Sequence, residues 1–240
     1  MKHFLQKVTL TGADDNVDPN ELLNLSLKFP FVEWGILFSP KEEGTPRYPS
    51  RKWLKSLHEV WKWSPSPSPL DFSGHICGKW VRDICEGNWS ILEDHREIIN
   101  MFGRFQLNFH SLAAKLHQNE FIEGLKNPTF DKVQFIFQLD DINHELVAAA
   151  KEAGVDAVPM FDISGGRGRL PSLWPKGKGY CGYAGGLSPA NLEVQLNLIS
   201  QVTDEAWIDV ESHIRSNDEF DLEKVHKFLE ISSEWTINVP

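Results

Sequence analysis

The chain has 240 residues, a formal net charge of −10 and 41% hydrophobic residues. This suits one domain spanning residues 1–240 with a sizeable core. The acidic balance excludes non-specific nucleic-acid binding, which needs a basic face, and no apolar run approaches the ~18 residues of a membrane span.

In chain order, the first predicted strand is Val8–Thr11. Its helix opens at Asp18, Pro19 and Glu21, which supply an N-cap, an N1 proline and an N3 carboxylate. The second strand covers Val32–Phe38, and its helix opens near Ser50 with Trp53, Leu54, Leu57, Val60 and Trp61 at helical spacing. A stiff Ser-Pro stretch, residues 64–69, leads into a third strand at Leu70–Gly74. Trp80, Val81, Ile84 and Cys85 mark the next helix, which stops at Gly87. Strands follow at Arg104–Asn108, Val133–Gln138, Ala157–Phe161, Tyr180–Ala184 and Trp207–Val210. Leu112–Phe121 reads as a helix, and another follows Asp140 and Asp141 and ends at Gly154. The seventh helix takes Ser188 as N-cap and Pro189 at N1 and buries Leu192, Leu196 and Ile199. The last buries Leu222, Val225, Phe228 and Leu229. Alternating strands and helices predict an α/β fold with a parallel sheet. Periodicity leaves open whether that sheet is a closed barrel or doubly wound.

The last third carries the chemical signal. It reads FDISGGRGRLPSLWP, then GYCGYAGGLSPANL, then WIDVESHIRSNDEFDLEKVHKF. Glycines just past a strand let the backbone approach a ligand. A helix opening behind them offers free N–H groups to an anion. Parallel α/β barrels hold phosphate in this way, after their seventh and eighth strands.

The order and content of these pieces resemble the phosphoribosylanthranilate isomerases, a family of ribulose-phosphate-binding barrels. The resemblance rests on Asp162, on Gly165, Gly166, Arg167 and Gly168, on Trp174, on Ala184-Gly185-Gly186-Leu187 with Pro189 and Asn191, and on Asp209-Val210-Glu211-Ser212-His213 with Asp221. Upstream, Gly35–Pro40 and Pro46-Arg47-Tyr48 resemble the family's second strand and its carboxylate-binding arginine. It implies a single (β/α)8 TIM barrel, with Asp162 as the general acid of an Amadori-type rearrangement and Arg47 as the carboxylate anchor. Two positions depart from the family. Its strand 1 Cys, the general base, becomes Thr11, and a hydroxyl does not ionise near neutral pH. Its strand 8 Ser-Gly phosphate cradle becomes Ser212-His213, preceded by Glu211.

Candidate site residues follow from strand ends. Asp162 serves as acid or as a turn residue. Arg47 binds a planar carboxylate or lies on the surface. Gly165, Gly166 and Arg167 belong to a loop that also carries Arg169, Lys176 and Lys178, a cationic patch suited to an anion. Gly185, Gly186, Ser212 and His213 form what survives of the phosphate cradle. His75 and Cys77 sit where strand 3 turns into its helix. A thiol near a helix N-terminus has a lowered pKa, and His75 is placed to help; the alternative is buried packing. Strands 1 and 3 are both three steps from strand 6 in an eight-strand ring, so Cys77 faces Asp162 much as the missing base would. Cys77, Cys85 and Cys181 form no CxxC pair, so no disulfide framework is expected. No ligand spacing supports a metal among His75, His213 and Asp162, and no cofactor is indicated.

Two function classes result. One is an isomerase- or lyase-type phosphosugar enzyme that takes a small anionic substrate but does not efficiently isomerise phosphoribosylanthranilate. The other is a non-catalytic barrel that binds a small ligand or a protein partner. Neither nucleic acid nor membrane is an expected partner, and the oligomeric state is left open. The N-terminus has no secretory h-region, and a reducing cytoplasm is the simplest setting.

Overall fold

Strand alternation builds a closed ring. In the second strand, Trp34 points outward and donates to Ser26 Oγ on the neighbouring helix (2.9 Å). The adjacent Glu33 turns inward, where Thr9 Oγ1 donates to it (2.7 Å). Repeated around the chain, this period of two separates a helix-facing layer from a bore-facing layer. The structure, a computed structural model, describes residues 2–90, 96–108, 117–127, 132–139, 145–162 and 168–237.

The strands are β1 (Leu5–Thr11), β2 (Val32–Phe38), β3 (Phe72–Ile76), β4 (Arg104–Leu107), β5 (Gln134–Leu139), β6 (Ala157–Phe161), β7 (Cys181–Ala184) and β8 (Ala206–Val210). Each pairs in parallel with the next, and β8 closes on β1, giving the eight-stranded (β/α)8 barrel. The helices are α1 (Pro19–Lys28), α2 (Arg51–Trp63), α3 (Lys79–Cys85), α4 (Arg96–Ile99), α5 (Gln118–Leu125), α6 (Leu146–Glu152), α7 (Leu192–Ile199) and α8 (Leu222–Ser233). Local chemistry starts several of them. The side chains of Asp18, Ser50 and Asp221 cap α1, α2 and α8 by accepting from backbone N–H groups of the first turn. No helix among the described residues is long and apolar enough to cross a membrane.

Several expected boundaries move. β3 begins two residues later than predicted and includes His75, because pairing with β2 and β4 extends through Ile76. The histidine is therefore inside the strand and not at its turn. The start of the helix predicted at Leu112–Phe121 lies outside the described residues, as do Asp140 and Asp141. α7 begins at Leu192 with Asn191 as N-cap, three residues after the predicted Ser188. The reason is the Asn191 side chain. It accepts from the Ser188 N–H (2.9 Å) and donates to the Gly186 carbonyl (2.9 Å), forming a turn ahead of the helix.

The described part of the β6–β7 connection contains no helix. Trp174 covers that side instead. It packs edge-on against Tyr183 of β7 (5.7 Å between centroids) and donates to Gln195 of α7 (2.9 Å).

The bore is polar on one side and apolar on the other. Ile136, Val158, Met160, Ala184 and Trp207 form an apolar cluster from β5 to β8. Across from it, Glu33 and Arg104 are paired at 3.2 Å with side chains 0% and 5% exposed. The approach is an ion pair whose N–H is not aligned for a hydrogen bond. The Arg104 guanidinium also lies 4.2 Å over the Trp207 ring and donates to Tyr180 Oη (3.1 Å). A buried pair of this kind is costly to break from one side, because the remaining charge is stranded.

Candidate active site

A cleft of about 390 Å³, counting its open mouth, lies at the C-terminal ends of β6, β7 and β8. Asp162, Gly185, Gly186, Asp209, Glu211, Ser212 and His213 all line it. The structure thus brings together five residues predicted for the site, from three separate strand ends. Gly165, Gly166 and Arg167 lie outside the described residues. Gly168, the last glycine of that motif, also lines the cleft.

Gly185 and Gly186 have positive φ (108° and 70°). At Gly186 there is a second requirement. A Cβ there would sit 2.3 Å from the Leu170 nitrogen and 2.7 Å from the Arg169 carbonyl carbon. The β6 loop rests directly on this glycine. The same loop is held from the other side by His213, whose Nε2 donates to the Gly168 carbonyl (3.0 Å). Ser212–Ile214 forms a short 3-10 helix after β8. The Ser188 N–H is used by Asn191, so the stretch of β7 loop facing the cleft is Ala184–Leu187.

Arg47 reaches the cleft rim from the β2 loop, but other carboxylates occupy it. It donates to Glu211 Oε1 (2.9 Å) and Asp218 Oδ1 (3.0 Å), and lies 3.4 Å from Ser212 Oγ. Glu211 therefore faces the cleft as a paired carboxylate, which removes much of its repulsion toward an anion. The Arg47 N–H donates to Asp14 Oδ2 (2.7 Å), which also accepts from the buried Arg215 (2.8 Å). Arg215 further donates to the Gly12 carbonyl. This network ties the loops after β1, β2 and β8 together on one side of the mouth.

Thr11, at the end of β1, is 1% exposed and donates to Asp209 Oδ1 at 2.7 Å. Its reach depends on Gly35, because a Cβ there would lie 2.1 Å from Thr11 Oγ1. Burial pushes the Asp209 carboxyl up to about 8; the Thr11 hydrogen bond opposes this, and the charges of Glu211, Asp162 and Glu33 add to it. At neutral pH Asp209 is therefore largely protonated. The strand pattern contained Asp209, but only barrel closure places it against Thr11 and beside Asp162.

His75 and Cys77 lie on the opposite side of the ring, among buried groups. His75 is 2% exposed, and its Nε2 has no hydrogen-bond partner among the described residues. Burial, with a smaller contribution from the charge of Arg104, lowers its pKa to about 3, so the ring is neutral. Cys77 follows β3, and its sulfur accepts from Asn108 Nδ2 (3.1 Å). Burial raises the thiol to about 11, against the hydrogen bonds from Asn108 and Tyr48 and with a further push from Glu211. The lowered thiol pKa expected from the helix start is not found. α3 has only seven residues, and desolvation outweighs whatever its first turn offers.

Comparison with solved structures places the barrel among related folds. TrpF from Jonesia denitrificans superposes with a TM-score of 0.59 at 14% identity, covering 96% of this chain and 97% of that one. N-(5'-phosphoribosyl)anthranilate isomerase from Pyrococcus furiosus superposes with a TM-score of 0.52 at 16% identity, covering 97% and 99%. At such identities the likeness is one of fold. No curated protein matches the sequence significantly. The model of the N-(5'-phosphoribosyl)anthranilate (PRA) isomerase family matches residues 106–231, just over half of the chain. On the barrel, the strand-end cleft and this match together, the chain belongs to the PRA isomerase family.

Proposed function

We propose that the protein is a diverged member of its family that binds a small anionic, phosphosugar-type ligand in the cleft at β6–β8. The carrying observation is the convergence of Gly185 and Gly186, in left-handed conformations, with Asp162 and Asp209 in one cleft. A backbone without side chains approaches an anion closely, and the nearby carboxyls supply proton-exchanging groups. The two acidic neighbours do not forbid an anion, because Asp209 is largely protonated and Glu211 is paired with Arg47.

Efficient isomerisation of phosphoribosylanthranilate is not part of this reading. Thr11 is a non-ionising hydroxyl committed to Asp209. Arg47, the expected carboxylate anchor, holds Glu211 and Asp218. Both changes remove groups which the parent reaction needs, and loss of a general base typically costs about 10²–10⁴-fold. The same two observations favour the second reading, a non-catalytic barrel.

Calorimetric titration with inorganic phosphate and ribose 5-phosphate at pH 6 and pH 8 tests the proposal. Saturable binding that weakens when Gly185 is replaced by Asp is the expected result. Silence toward both ligands at both pH values would sink the anion site and leave the scaffold reading. A phosphoribosylanthranilate turnover assay on the unmodified protein is expected to be negative, and Thr11→Cys alone should not restore it.

A further inference from the structure

We propose that a second pocket, between the β2 loop and the neighbouring helices, binds a free amino acid with an aromatic side chain. The inference goes beyond the anion-site reading and does not depend on it. The pocket shares no lining residue with the cleft at β6–β8, and Arg47 is not part of its wall. It opens between the end of β2, the loop that follows, and helices α2, α3 and α4.

The space is about 350 Å³, counting its open mouth, which is the size of a small-ligand site. Its walls are apolar: Leu37 and Phe38 come from β2, Leu54 from α2, Trp80 from α3 and Ile98 from α4. Tyr48 from the β2 loop adds a further ring. The Tyr48 hydroxyl is engaged by the Cys77 sulfur, so this residue offers the pocket its aromatic face. Phe38, Tyr48 and Trp80 are each only partly buried. A guest ring would complete their burial and gain edge or face contacts with them.

Two polar features distinguish the pocket from a packing gap. At its mouth, Arg51 Nε lies 3.6 Å from Glu43 Oε2, and both side chains are exposed. A solvated pair of this kind contributes little to stability, so exchanging its partners for those of a ligand costs little. A guanidinium beside a carboxylate is complementary to the carboxylate and ammonium of one amino-acid zwitterion. A ligand with a single charge matches only half of it. The second feature is Ser39, which lines the pocket and is 8% exposed. Its hydroxyl has no hydrogen-bond partner among the described residues. A hydroxyl so placed is satisfied by a polar atom of the guest. The phenol of tyrosine carries one, and the ring of phenylalanine does not.

Calorimetric titration of the unmodified protein with L-phenylalanine, L-tyrosine and glycine tests the site. Saturable binding of L-phenylalanine is expected, tighter binding of L-tyrosine, and none of glycine, which lacks the side chain. N-acetyl-L-phenylalanine and L-phenylalaninamide keep the ring but each lose one charge. Both should bind at least about 10-fold more weakly than L-phenylalanine, the loss expected for a hydrogen bond to a charged group. The variants locate the charges. Glu43→Gln should close the gap between L-phenylalanine and its N-acetyl form, Arg51→Met the gap between L-phenylalanine and the amide, and Ser39→Ala the preference for tyrosine. Gly185→Asp, which disables the anion site, should leave all these affinities in place, so the two sites fail separately. No saturable binding of L-phenylalanine up to about 10 mM would overturn the proposal. So would equal affinity for its three forms, or gaps that persist in the Glu43 and Arg51 variants, because the ion pair would then not be reading the zwitterion.

Discussion

Alanine at Gly186, set against alanine at Gly154, separates backbone strain from loop packing. Both glycines have positive φ, 70° and 85°. A Cβ at Gly154 meets nothing within 4 Å, whereas one at Gly186 lies 2.3 Å from the Leu170 nitrogen. Gly154→Ala therefore carries only the left-handed penalty, about 1–2 kcal/mol. Gly186→Ala carries that penalty plus an overlap with backbone atoms, which have no rotamer to retreat to. Overpacking of this kind adds about 1–3 kcal/mol. Urea unfolding followed by tryptophan fluorescence reads the difference. With a slope of about 3 kcal/mol per molar, the Gly186 variant should unfold roughly 0.3–1 M earlier than the Gly154 control. Equal midpoints would refute the reasoning, because they would mean that the β6 loop does not rest on Gly186. The outcome bears on the site: the loop whose Gly168 lines the cleft is seated on this glycine.

Three further results are expected. Arg215→Met strands the Asp14 carboxylate, both side chains being 2% exposed, and should cost about 3–5 kcal/mol by denaturant midpoint; adding Asp14→Asn should recover part of it, and no recovery would show that the charge is not what matters. His75 has a folded pKa of about 3 against 6.5 for the free ring. Below pH 6.5 the unfolded chain takes up a proton that the folded one refuses, so stability is lost as pH falls from 6.5 toward 3. His75→Gln should remove this share of the acid sensitivity, and midpoints that run parallel from pH 7 to pH 4 would contradict it. Cys77, with its thiol near 11, should react with iodoacetamide at pH 8 about 100-fold more slowly than free cysteine; labelling at the free rate, seen by mass spectrometry, would argue for an accessible thiolate.

Much of the fold was written in short stretches of chain. β2 and β6 have the bounds that their apolar runs predict. Asp18 and Ser50 cap their helices as their side chains suggest. These signals are legible because capping and periodicity act over a few residues. The family motifs likewise placed Asp162, Gly185, Gly186, Ser212 and His213 at one end of the barrel, because strand ends in such a fold share a face.

What the sequence could not supply are pairings that exist only once the ring closes. Arg47 meets Glu211 and Asp218 across 164 and 171 residues, and this turns a candidate ligand anchor into a clamp between loops. Glu33 and Arg104 pair only because β2 and β4 flank β3 in the ring. Thr11 and Asp209 meet 198 residues apart, across the β1–β8 seam. The position of His75 within β3 depends on the neighbouring strands that extend it. Proton affinity belongs to the same class: Asp209 is held protonated, and Cys77 is held as a thiol, by burial and by distant charges. The sequence by itself determined the local elements and the face on which chemistry sits. Tertiary structure alone decided which of those side chains are charged, paired or buried, because desolvation and Coulomb interaction depend on distance in space, whatever the separation along the chain.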